Sequence, residues 1–496
     1  MIHQLQHSFT ANAARAAFYM HDTFYTYSQL AQRAYAIAAW LQQQNPQRKP
    51  VGIIAADEFD TYAGLCGILM SGAPYVPILP DYPKDRSQSI IEQAGIEIVL
   101  SPIPAEGLVN TLPQTTRVVE TGSIPVFAGD FVLPEISDTD RAYILFTSGS
   151  TGKPKGVPLT HGNLSSFMDS FFALGYDITH SDRFLQMFDL TFDLSVMSYL
   201  APLLKGACVY PVPAEGMKYM SIYTLLEDQE ITFSLMVPSM LSYLRPYFED
   251  INLPQLRHSL FCGEALYADI AAEWQQCVPN VLIQNVYGPT EATIFCLTYD
   301  CVGTIKQYNG MVCIGKPMKN VGTLVVNDEN KPVGEGDKGE LCLSGGQVTP
   351  GYINNPEKNA EAFFIHNNER YYRTGDIVYA DADGDYMYCG RADYQVKVKG
   401  GFRVELNEVE AHARNYTQLS GVAAVAPVNT MGIAQIYLYL EGFSGDATEV
   451  HGYLKTQMPD YMLPEQIISI EVFPLNNNGK VDRKALTNML SQAANS

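Results

Sequence analysis

Residues 146–164 read FTSGSTGKPKGVPLTHGNL. The stretch follows an apolar segment, 143–146, with the make-up of a buried strand. Its Ser, Thr and Gly residues supply hydroxyls and unhindered backbone N–H groups, and Lys153 and Lys155 add positive charge. A loop of this kind at the end of a strand can wrap a polyphosphate. It is not a Walker loop, because Pro154 follows Lys153 where that motif needs Ser or Thr.

Outward from this loop, apolar runs recur at 51–55, 73–78, 96–100, 207–212, 233–237, 259–262 and 281–286. Helical stretches such as 62–70 lie between them. Strands alternating with helices predict parallel α/β sheets with a ligand site at the strand ends. Residues 331–388 differ, being rich in Gly, Asp and Asn, with short alternating strands such as Gly339-Glu340-Leu341-Cys342-Leu343. They predict a β-rich subdomain at about 331–390. A smaller α+β unit follows Gly390-Arg391-Ala392-Asp393, which places a domain boundary near Asp393.

The 496 residues are too many for one compact core, and 47% hydrophobic against 17% charged is a globular composition. The net charge of −21 argues against nucleic acid as a partner. The acidity is uneven: the part after Tyr394 is nearly balanced. Nine cysteines without a CxxC pair point to reduced thiols and a cytoplasmic setting. The histidines show no zinc spacing. The first residues lack the build of a signal peptide, and no stretch approaches the ~20 apolar residues of a spanning helix.

The phosphate loop resembles the signature loop of the ANL superfamily: acyl-CoA synthetases, amino-acid adenylation domains and luciferases. Further motifs follow in order over almost the whole chain. Tyr25-Thr26-Tyr27 with Leu30, and GAPYVPILPDYP at 72–83, are similar to early motifs of amino-acid-activating members. Asn285-Val286-Tyr287-Gly288-Pro289-Thr290-Glu291 resembles NxYGPTE, and Tyr372-Arg373-Thr374-Gly375-Asp376 resembles YRTGD. Gly390-Arg391-Ala392-Asp393 opens a hinge motif that continues to Glu410. PLNNNGKVDR at 474–483 resembles the catalytic-lysine motif. The resemblance implies an α/β, α+β multidomain fold. Residues 1–392 would form an adenylation core of two packed αβ sheets plus the β-rich subdomain, and 393–496 a small mobile lid.

It also implies the chemistry. A substrate carboxylate attacks the α-phosphorus of ATP and pyrophosphate leaves, which calls for positioning and charge neutralisation rather than a protein nucleophile. Thr147, Ser148, Gly149, Ser150, Thr151, Gly152 and Lys153 would hold phosphates. Glu291 would bind Mg2+, and Thr290 would contact the α-phosphate. Tyr287 would stack on adenine, with Gly263, Glu264 and Asn285 along its edge. Asp376 would take the ribose hydroxyls with its two acceptor oxygens, assisted by Arg391. Lys480 would sit between the carboxylate and the α-phosphate, and Asp393 would be the hinge. Between Lys397 and Phe402 the chain reads Val-Lys-Gly-Gly, one residue longer than typical amino-acid members. Which of Lys397 and Lys399 serves the thiol-transfer step is left open.

FDLTFDLSVMSY at 188–199 is similar to the FDxS pattern in which an Asp pairs with an amino acid's ammonium, here Asp193 rather than Asp189. A buried carboxylate asks for a cation. The remaining pocket positions implied are Leu194, Met197, Leu235, Leu260, Cys262, Val286, Ile294 and Phe295, all apolar or nearly so. They fit a small or medium aliphatic amino acid. Leu194, Met197 and Cys262 resemble the pocket of D-alanine–carrier protein ligases, which makes D-alanine the first expectation. L-proline and glycine are alternatives, since one methylene discriminates by only ~1–3 kcal/mol. An acyl-CoA synthetase of another acid is the further rival. The expected acceptor is the phosphopantetheine thiol of a separate carrier protein, because no carrier segment is found in the chain.

Overall fold

The computed structural model describes every residue except 108–111, 148–153, 328, 392–394, 420, 475–480 and 494–496. Two large sheets carry the first part of the chain. One has six strands in the order Arg117–Glu120, Ile98–Ser101, Val51–Ile54, Tyr75–Ile78, Arg141–Thr147 and Lys155–Thr160. All its pairings are parallel except the last, where the phosphate loop joins the two strands as an antiparallel pair. The other has nine strands. Its parallel centre includes Arg183–Gln186, Phe233–Met236, His258–Phe261 and Leu282–Tyr287, with antiparallel strands at both edges.

Local chemistry sets the helices that flank these strands. Helix Tyr27–Gln44 starts at a capping box, with the Thr26 side chain accepting from Gln29 N–H and the Gln29 side chain accepting from Thr26 N–H. Helix His161–Phe172 starts the same way at Thr160 and Asn163. Helix Phe59–Ser71 is apolar almost all round and buried along nearly its whole length. Two glycines let it approach its neighbours closely. A Cβ at Gly67 would meet the Ala34 carbonyl and Ile37 Cβ at 2.8 Å, and one at Gly64 would strike Ile53.

The Gly- and Asp-rich region forms a five-stranded antiparallel sheet from Val321–Val326, Gly339–Gly345, Phe363–His366, Glu369–Ala380 and Tyr386–Arg391. It starts ten residues before the compositional change at Lys331. Its first strand, VGTLVV, is mostly apolar, and the turn residues begin only at Asn327. The last part of the chain has its own apolar core, including Val404, Val409, Leu438, Val450 and Leu454. A hairpin, Gln395–Val398 with Phe402–Glu405, projects from it toward the large sheets.

That projection is firmly seated. Gly401 N–H donates to Glu264 at 2.9 Å, and Phe402 packs edge-on to Phe192 at 4.4 Å while stacking on Tyr461 at 3.9 Å. The buried pair Arg86–Glu408, 3.3 Å apart, ties the small unit to the six-stranded side.

Candidate active site

The C-terminal ends of the adjacent parallel strands at 258–261 and 282–287 open onto one cavity of about 290 Å³. Gly263, Glu264, Asn285, Val286 and Tyr287 line it from the nine-stranded sheet, Arg391 from the five-stranded sheet, and Val396 and Lys397 from the hairpin. Gly263 has φ +93°, and a Cβ there would lie 3.4 Å from Val237 and 3.5 Å from Gly401. That contact would be ordinary, so it is the left-handed backbone at this strand end that favours glycine. Asn285 Nδ2 donates to the Cys313 carbonyl at 2.9 Å. The Glu264 carboxylate accepts from Ser239 N–H, the Ser239 hydroxyl and Gly401 N–H, so its oxygens are engaged as it lines the wall.

Beside the cavity the Tyr287 hydroxyl donates to Asp376, and Arg391 Nη1 lies 2.7 Å from the other carboxylate oxygen. Three residues from distant motifs thus meet at one point. Burial and the Asp376 charge hold the Tyr287 hydroxyl well above the ordinary tyrosine value, so it stays a donor.

Glu291 is fully buried. Burial raises its pKa, but Arg403 at 3.0 Å and the Tyr352 hydroxyl at 2.6 Å outweigh that and hold it down to about 2. It is therefore a carboxylate at neutral pH. An ionised carboxylate can serve as one ligand of a hard divalent cation, although here its oxygens are taken by Arg403 and Tyr352. A second ion pair spans the same seam: Lys155, at the end of the phosphate loop, lies 2.9 Å from Glu405, both buried. Burial pulls the Lys155 ammonium below its usual value despite Glu405. Thr147 ends the strand before the loop and pairs with Lys155.

Asp193 opens helix Asp193–Lys205 and is 5% exposed. Burial pushes its carboxyl up to about 7 against hydrogen bonds from Ile294 N–H, at 3.1 Å, and from Thr290. Among the described residues no basic side chain pairs with it. Asp189 instead sits toward the surface, 3.8 Å from Lys218.

Leu194, Met197, Leu235, Leu260, Cys262, Val286, Ile294 and Phe295 are all buried. Leu235 and Leu260 are register partners on adjacent strands. Leu194 lies against Gly263, and Cys262 is within electrostatic reach of both Asp193 and Lys397. Burial pushes the Cys262 thiol up to about 12, which leaves it neutral and unreactive. The Phe295 ring packs edge-on against Phe167 at 5.0 Å.

Ser148, Gly149, Ser150, Thr151, Gly152, Lys153, Asp393 and Lys480 lie outside the described residues. The two open lysines separate clearly. Lys397 Nζ is 5.9 Å from the centre of the Tyr287 ring and lines the cavity. Lys399 stands over Tyr243 at 5.1 Å, at a different cavity. Residues 399–401 form a three-residue hairpin loop whose glycines, Gly400 and Gly401, both have positive φ. Arg403 and Tyr352 were not singled out from the sequence. Arg403 lies inside the hinge motif, so its place in that motif was the available signal, whereas Tyr352 carried none.

Residues 5–353 match the family described as AMP-binding enzyme. The chain is 32% identical over 478 residues to the D-alanine--D-alanyl carrier protein ligase of Lactiplantibacillus plantarum, covering 93% of each. It is 33% identical over 472 residues to gramicidin S synthase 2 of Brevibacillus brevis, but spans only 10% of that protein's length. The Vibrio cholerae adenylation domain AlmE, solved in complex with glycyl-adenosine-5'-phosphate, superposes with a TM-score of 0.87. The identity is 28%, over 99% of this chain and 97% of that one.

Proposed function

This chain belongs to the AMP-binding enzyme family of the ANL superfamily, and from that premise we propose that it activates a small amino acid with ATP and passes it to the thiol of a carrier protein. In the first step a substrate carboxylate oxygen bonds to the α-phosphorus, the bond to the β-phosphate oxygen breaks, and pyrophosphate leaves. In the second, the sulfur of a phosphopantetheine attacks the acyl carbon and AMP leaves.

One observation carries the amino-acid reading: Asp193 is a buried carboxyl that meets hydrogen-bond donors but no cationic partner among the described residues. An α-ammonium would supply the missing charge, and an uncharged acid would not. Tyr287, Asp376 and Arg391 fit a nucleoside, with Tyr287 stacking on the base and Asp376 holding the ribose. Glu291 fits Mg2+, which supplies charge neutralisation on phosphate oxygens when bound. Thr290 would contact the α-phosphate. Lys480 is assigned to the transition-state charge and Asp393 to the hinge on the motif likeness.

D-alanine is the substrate we favour, on the likeness of Leu194, Met197 and Cys262 to the pocket of D-alanine–carrier protein ligases. Glycine is the second reading, favoured by the glycyl adenylate in the similar AlmE structure. No described helix is long and apolar enough to cross a membrane. With nine free cysteines, a reducing cytoplasmic setting is the proposed location.

Amino-acid-dependent pyrophosphate exchange across D-Ala, L-Ala, Gly, L-Pro, L-Ser and L-Val tests the proposal. Exchange with one or two small amino acids is expected. No exchange with any of them would overturn it. Asp193→Ala separates it from an acyl-CoA synthetase of uncharged acids, which would survive that change.

A further inference from the structure

Thr293 and Ile294 are consecutive β-branched residues with φ of +55° and +73°. Side chains of that shape disfavour the left-handed region, and such a pair persists only where its surroundings over-determine it. Those surroundings are visible. The Thr293 hydroxyl donates to the Gln347 carbonyl at 2.5 Å, and Gln347 Nε2 reaches the Phe295 carbonyl at 3.5 Å.

The segment holding Gln347 is itself fixed from several sides. Asn163 Nδ2 donates to the carbonyls of Gly346 and Val348, at 2.8 and 3.1 Å. The Thr349 hydroxyl donates to the Pro158 carbonyl at 2.5 Å, and Arg370 Nη1 donates to the Thr349 carbonyl at 2.8 Å. Thr293 therefore hangs from a braced strand end. The dihedrals of the left-handed pair set the tilt of the peptide plane between its two residues. That plane carries the N–H of Ile294, which lies 3.1 Å from Asp193 Oδ2.

We propose that Thr293, clamped to the Gln347 carbonyl, is a positioning residue that aims Ile294 N–H at Asp193 and so fixes the carboxylate that receives the substrate ammonium. With this bond and the one from Thr290 in place, the carboxylate is oriented before the amino acid arrives, and less ordering remains at binding. This inference rests on the amino-acid reading of the site.

The test is pyrophosphate exchange with the amino acid that the unaltered chain accepts. Thr293→Val keeps the shape and loses the hydroxyl. It should raise KM for the amino acid about tenfold, with KM for ATP within about twofold and a smaller change in kcat. Thr293→Ser, which keeps the donor, should restore the amino-acid KM. Should the valine variant fail to fold, Thr293→Gly decides: glycine takes the left-handed conformation without strain, lacks the hydroxyl, and should show the same selective rise. A wild-type amino-acid KM in either variant would overturn the positioning role. So would an equal rise in both KM values, or failure of serine to rescue. An unaltered chain with no exchange would instead bring down the amino-acid reading and this inference with it.

Discussion

Arg403 Nη1 lies 3.0 Å from Glu291 Oε2, so a cation from the small unit covers the carboxylate assigned to magnesium. Arg403→Met leaves that buried charge unpaired, and a loss of about 3 kcal/mol of stability is expected. The pH response should also change sign. In the wild type Glu291 is held down to about 2, below its ordinary 4.5, so its contribution is complete above about pH 4.5 and is lost as pH falls toward 2. In the variant burial dominates and the carboxyl rises, so the variant should gain stability relative to wild type from pH 7 to 5. Denaturant melts at both pH values check this.

Asp193 has the opposite bias. Its carboxyl is pushed up to about 7 from 3.8, so the folded chain binds a proton that the unfolded chain lacks between those values. Stability from this group is present below about pH 4 and declines as pH rises to about 7. Asp193→Asn should stabilise the substrate-free protein at pH 8 by on the order of 2 kcal/mol. The same change should abolish amino-acid-dependent exchange. Calorimetry with an exchange assay reads both, and an asparagine variant that is less stable yet active would contradict the assignment.

Lys155 and Glu405 form a pair in which both members are buried. Removing one leaves the other charged and unsolvated. Glu405→Gln alone should cost about 3 kcal/mol, and Lys155→Met added to it should recover part of that loss. A double-mutant cycle from urea melts measures the coupling.

Lys397 faces the Tyr287 ring and Lys399 faces Tyr243. If this arrangement serves thiol transfer, Lys397→Ala should slow loading of the carrier at least about tenfold while leaving pyrophosphate exchange within about threefold. Lys399→Ala should change neither. Equal effects of the two substitutions on loading would exclude a distinct role for Lys397.

Most of the parallel strands were legible because each is a short apolar run bounded by turn residues, and 51–54, 233–236 and 258–261 fall where such runs predict, whereas Arg183–Gln186 and Arg117–Glu120, which begin and end on polar residues, were missed. The start of the five-stranded sheet at Val321 was not, because composition marks turns better than it marks the strand before them. Tyr287, Asp376 and Arg391 could be named from motifs far apart in the chain, and the structure brings them together. Arg403 and Tyr352 on Glu291 escaped notice, since an arginine or tyrosine in a strand or loop announces no partner until the fold supplies one. The left-handed pair Thr293–Ile294 is harder still: β-branched residues argue for extended backbone, and long-range bonds override that preference.

Helix Phe59–Ser71 has almost no wet side, and its glycines are pressed against Ile53, Ala34 and Ile37 with no slack. Such a filled interior has little room to yield and passes displacement on rather than absorbing it. The large sheets then serve as a fixed frame. Uncovering Glu291 for a metal would therefore mean moving the chain segment that carries Arg403 and Glu405, at the cost of the Gly401–Glu264 bond and the Phe402–Phe192 contact.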